Sequence, residues 1–114
     1  MLNALLNSGL WERGEIKAFY NRLSQILRRF LERRNGIPAT YLTTQDLVRQ
    51  IRRLGMAPSQ ANASRQVLQT SDLVKFAMWK PRDTEKDRDV AKTRQIFERQ
   101  QQKAPESSGK LQKA

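Results

Sequence analysis

Eleven carboxylates, two tyrosines and a scatter of serines and threonines are all that this chain of 114 residues offers for proton transfer or nucleophilic attack, since it has no His and no Cys. The commonest general base, the commonest metal ligand and the thiolate nucleophile are therefore missing together. Two carboxylates can still serve as acid and base where a shared, partly desolvated site drives their pKa values apart. Most of those present, from Glu12 and Glu15 to Glu98 and Glu106, stand where they serve better as caps, dipole partners or solvated charges. The run Asp83, Glu85, Asp87, Asp89 superficially suggests a calcium loop, but it lacks the turn glycine and the terminal bidentate Glu at loop spacing. Ser24, Ser59, Ser64 and Ser71 have no imidazole to activate them. The five glycines, Gly9, Gly14, Gly36, Gly55 and Gly109, are isolated, so no phosphate-cradling loop is present. The expectation is a chain that is not an enzyme and uses no cofactor and no metal.

Binding chemistry is better supplied. Lys and Arg number 22 against 11 Asp and Glu, a net charge of +11, and such an excess favours an acidic protein face, an anionic lipid surface or nucleic acid. Arg28, Arg29, Arg33 and Arg34 gather near one helix end, where guanidinium forks suit carboxylates or lipid head groups. They are the candidate partner-binding residues. Nucleic-acid binding is the alternative: Leu47 to Leu54, Gly55 and the helix after Pro58 have the order of parts of a helix-turn-helix. Ile51, however, stands four residues before the turn glycine, where that motif needs a small side chain, and Ala61 and Ser64 replace the branched apolar residues of its second helix.

These residues must be held by helices. Ile16, Phe19, Tyr20, Leu23, Ile26, Leu27, Phe30 and Leu31 recur at threes and ones, with arginines between them, and so predict an amphipathic helix. Arg33 and Arg34 suit its negative end, Gly36 its left-handed cap, and Pro38 stops it. Thr43, Thr44 and Asp46 predict the start of a second helix, carried by Leu47, Val48, Ile51 and Leu54 and closed by Gly55. Pro58 and Ser59 open a third, whose continuity past Thr70 and Ser71 the sequence leaves open. Pro81 ends it, and Asp83 and Thr84 cap a fourth with few apolar residues, Val90, Ala91, Ile96 and Phe97, expected to dock weakly and to fray beyond about Gln100.

The predicted fold is all-α, a compact bundle of three to four helices with a disordered C-terminal tail. Its divisions are a linker or weakly ordered segment over 1–15, a helical domain over 16–102 and a disordered basic tail over 103–114. Leu23, Leu27, Leu31, Leu47, Ile51, Val74 and Phe76 are expected to meet in one core, and the aromatics Phe19, Phe30, Phe76 and Trp79 to belong to it. No stretch approaches the roughly 20 apolar residues that a membrane span requires.

The stretch FYNRLSQILRRFLERRNGIPATYLTTQDL, followed at a distance by SDLVKFAMWKP, resembles the C-terminal cytoplasmic helical region of BatD-type "oxygen tolerance" membrane proteins and related uncharacterised families. The likeness rests on Tyr20, Leu23, Leu27, Leu31, Gly36, Pro38, Thr43, Thr44 and Leu47, and on the run Asp72 to Ala77. It implies a non-catalytic adaptor domain on the cytoplasmic face of the inner membrane, part of a longer membrane protein. Its implied partners are a MoxR-type AAA+ ATPase or von Willebrand factor A proteins, with no site residues to carry over. The third helix here is poorer in Leu than that pattern.

Overall fold

The structure, a computed structural model, describes residues 1–100 with their side chains and the backbone of 101–113. It is all-helical, with no strand among the described residues. The elements run α1 (Leu2–Leu6), α2 (Ile16–Asn35), a 3-10 turn (Ala39–Tyr41), α3 (Thr44–Arg53), α4 (Pro58–Phe76) and α5 (Asp83–Lys113). The expected disorder of the tail over 103–114 lies outside the residues described with side chains.

Local chemistry sets the boundaries. Gly36 adopts the left-handed conformation, φ 67°, and its N–H donates to Glu32 O, closing α2. The Thr43 hydroxyl accepts from the Asp46 N–H at 3.1 Å and starts α3. Pro58 opens α4, where its missing N–H costs nothing. That helix is continuous through Ser71, whose hydroxyl donates back to Val67 O at 2.8 Å rather than breaking the chain. At the head of α5 the Arg82 N–H donates to the Glu85 carboxylate at 2.8 Å, the return half of a capping box.

The core is one cluster built on Phe19, Tyr20, Leu23, Leu27 and Leu31 of α2, Leu47 and Ile51 of α3, Val67, Leu68 and Val74 of α4, and Ile96 of α5. α4 is the central element, packed by α2, α3 and α5, and only a narrow stripe that includes Asn62, Gln69, Leu73 and Phe76 faces solvent. Small residues make this possible. Ala61, Ala63, Ser64 and Ser71 are buried along α4 and let its neighbours approach closely.

Three expectations are corrected. The N-terminal fifteen residues are not a linker: Leu2 and Leu5 of α1 are buried in the core, and Trp11 packs edge-on against Phe19 at 5.5 Å while its indole N–H donates to Asp83 at 2.8 Å. A five-residue helix and an aromatic in a turn leave no periodic signal to read. Phe76 is not in the core. It is 81% exposed, because α4 ends at that residue and the chain turns away. The fourth predicted helix, α5, is firmly docked: Asp89, Thr93 and Ile96 are fully buried, Phe97 lies 4.3 Å from Phe30, and Lys92 donates to Gln66 at 2.5 Å. Its inward face is built partly from small polar side chains, which a hydropathy pattern undercounts.

Candidate functional site

Of the four arginines read from sequence as a partner-binding cluster, the helix geometry separates two from the others. Arg28 is half-buried and works inside the fold: its guanidinium donates to the carbonyl of Ala39 at 2.8 Å, to that of Leu42, and to the Thr44 hydroxyl at 3.1 Å. It thereby ties the α2–α3 connection to α2. Burial pulls its pKa below the ordinary arginine value, and the charge of Asp72 pulls it back up. Arg34 reaches the other flank and donates two bonds, 3.2 and 2.7 Å, to the carbonyl of Gln100. Arg29 and Arg33 alone remain on a common exposed face of α2.

Polar chemistry inside the bundle centres on Tyr20 and Asp89. The Tyr20 hydroxyl donates to Asp89 Oδ2 at 2.5 Å, and both residues have no exposed surface. Burial, the Asp89 bond and the charges of Asp89 and Glu85 raise the tyrosine pKa, opposed by Arg88. Burial likewise raises the Asp89 carboxyl, with Glu85 adding to the rise, while the Tyr20 bond, Arg88 and Lys92 oppose it. Asp89 Oδ1 has no partner among the described residues. With neither group open to solvent, the pair fits a structural role. Asp83 and Glu85 are engaged as Trp11 acceptor and cap, and no group of three acidic side chains that could hold a metal occurs among the described residues.

The surface feature that sequence reading missed lies where α4 hands over to α5. Leu73, Phe76, Met78 and Trp79 are 49%, 81%, 84% and 36% exposed, four large apolar side chains within seven consecutive positions. Phe76, Met78 and Trp79 join Ile16, Ala18 and Val74 in lining a cleft of about 830 Å³ between the start of α2 and the end of α4. Lys17, Lys75 and Lys80 stand on its wall with Glu15 as the one carboxylate. The Lys75 ammonium lies 5.8 Å from the Phe76 ring centroid and 3.5 Å from the Ser24 hydroxyl. Met78 holds φ at 56°, a left-handed conformation that costs a side-chain-bearing residue ~1–2 kcal/mol. The turn brings the Trp79 N–H within 3.3 Å of Leu73 O and keeps Trp79 beside the cleft. The available signal was Pro81 at the end of SDLVKFAMWKP: an apolar run ending at a helix stop cannot all turn inward.

No family model, no curated protein and no solved structure matches the chain. Among the described residues no helix is long and apolar enough to cross a membrane.

Proposed function

We propose that this chain is a non-catalytic protein-interaction domain that seats an acidic, apolar-faced segment of a partner protein in the cleft between α2 and the end of α4. The carrying observation is the exposure of Phe76 and Met78, at 81% and 84%, beside Trp79 and a lysine wall. Large apolar side chains grouped at the surface and rimmed by charge are a feature of contact sites, and aromatic and Met side chains are enriched there. The strained Met78 backbone supports the reading, since such strain tends to sit where a surface is used. The occupant follows from charge. Three ammonium groups against one carboxylate line the cleft, and a chain of net charge +11 repels a second copy of itself, so the complementary surface is acidic.

The absence of His and Cys supports a module without chemistry of its own. The likeness to BatD-type proteins adds, on its quoted residues alone, a partner in an envelope system such as a MoxR-type ATPase or a von Willebrand factor A protein. Nucleic-acid reading through α4 is disfavoured, because a recognition helix needs a free face and α4 is covered by three neighbours.

A titration at near-physiological salt tests this. An amphipathic peptide of Leu and Glu is expected to shift the indole N–H resonance of Trp79 and the backbone of Phe76 to Lys80, and to leave the indole of Trp11 unmoved as internal control. Labelled DNA and RNA of varied sequence form the opposing arm. Binding there that survives the salt and separates sequences by more than about tenfold would overturn the interaction reading in favour of the nucleic-acid one.

A further inference from the structure

A second surface shares no lining residue with the apolar cleft. Between α3 and α4 runs a groove of about 510 Å³ into which Arg49 and Arg52 project from one helix and Arg65 from the other, with Gln45 and Gln69 beside them and Asp72 as the one carboxylate of its lining. Three guanidiniums against one carboxylate leave the groove positive by two charges. Its arginines are unequal. Arg49 is also 3.4 Å from Asp46 in an exposed pair, whereas Arg65 donates from Nη1 to the Gln69 side-chain oxygen at 3.2 Å. That bond orients the guanidinium plane. Arg65 Nε is buried and has no acceptor among the described residues. A buried charged donor without a partner is costly, and proteins keep few of them.

We propose that this groove binds a phosphate monoester dianion, free in solution or as a lipid head group, with Arg65 as its principal fork and Arg52 and Arg49 completing the charge. The dianion answers the excess of positive charge, two on the groove's own lining and one once the Asp46 partner of Arg49 is counted. Its oxygens can accept from Nη2 of Arg65 and, once the side chain turns its enclosed Nε toward the groove, from Nε as well, the bidentate geometry that guanidinium offers and ammonium does not. Gln69 holds the fork in place, and the arginines of α3 approach from the facing wall, so the ligand bridges two helices.

The experiment follows the arginine Nε–Hε resonances of the full chain during titration with inorganic phosphate at mildly alkaline pH, against chloride at matched ionic strength. The expected result is a saturable shift at Arg65 and Arg52, weakened at least tenfold by Arg65→Gln and also by Arg65→Lys, which keeps the charge but loses the fork. Arg33→Gln, on the outer face of α2, should change the affinity less than twofold. Arg52→Gln is the companion variant should Arg65→Gln fail to fold by thermal melt, and it too should weaken phosphate. Sedimentation with phosphatidic acid vesicles, compared with phosphatidylcholine vesicles, separates the sources. Recruitment lost in Arg65→Gln assigns the site to lipid head groups, and phosphate binding without recruitment assigns it to soluble esters. Shifts spread over all arginines in proportion to ionic strength, or an Arg65→Lys variant that binds phosphate as the parent does, would overturn the proposal.

Discussion

The Tyr20 hydroxyl and the Asp89 carboxylate meet at 2.5 Å with no exposed surface on either residue, joining the second helix to the last across 69 positions of chain. Burial raises the Asp89 pKa above the ordinary aspartate range, so the fold binds this proton more tightly than the unfolded chain does. The stabilisation linked to that proton is complete below the ordinary value of about 4 and is lost as pH rises through the folded-state value. Asp89→Asn keeps an acceptor for Tyr20 without the charge. Its melting temperature should match the parent's in acid and exceed it increasingly toward neutral pH. A gap between the two proteins that does not vary with pH would show that Asp89 is ionised in the fold without penalty.

Tyr20→Phe tests the same bond from the other side. It leaves Asp89, whose other oxygen is already unpartnered, with no hydrogen bond from tyrosine, and should cost about 1–3 kcal/mol at neutral pH. In the Asp89→Asn background the loss should be smaller, which a double-mutant cycle by chemical denaturation reads directly.

Leu27 is fully buried at the centre of the core. Leu27→Ala should cost on the order of 2–5 kcal/mol, a large share of the stability of a domain of this size. Phe76→Ala, by contrast, should stay within about 0.5 kcal/mol because the ring is exposed. Denaturation midpoints of the two variants check both, and equal losses would place Phe76 in the core after all.

Arg28 closes the α2–α3 connection by donating to two backbone carbonyls and a hydroxyl. Arg28→Ala strips those acceptors of their charged donor and should destabilise by roughly 1–3 kcal/mol, against about 0.5 kcal/mol or less for Arg33→Ala on the open face. Thermal melts distinguish them.

Docking of α5 is a matter for hydrogen exchange. With Ile96 fully buried and Phe97 against Phe30, amides from Val90 to Phe97 should be protected to a degree comparable with those around Leu27. Rapid exchange there would restore the weakly docked helix that its composition suggests.

What was legible in the sequence follows from which signals are periodic. The α2 stripe from Ile16 to Leu31, the Thr43 cap and the Gly36 and Gly55 stops are local and repeat known chemistry, so the helices and six of the seven proposed core residues could be read directly. Leu23 to Val74 meet as expected, and Phe76 does not. Asp89 was opaque because its burial depends on Tyr20, far away in the chain, and Thr93 because α5 packs its inward face on helices distant in sequence. The arginine cluster shows the same limit. Nearness in sequence put Arg28 and Arg34 with Arg29 and Arg33, while the helical rotation and three backbone carbonyl partners sent the first pair to opposite flanks.

If a partner sits on the surface around Phe76, site-specific photocrosslinking should capture it there. A photoreactive phenylalanine derivative is placed at position 76, and at the exposed position of Asn62 on the same helix as control, in the full chain within its own cell. The expected result is a discrete protein adduct from position 76 alone, mapping by mass spectrometry to a segment rich in Asp and Glu that also carries apolar residues, and lost when Lys75 and Lys80 are changed to Glu. Adducts chiefly to lipid, to nucleic acid or to a second copy of the chain, or an identical pattern from both positions, would contradict it.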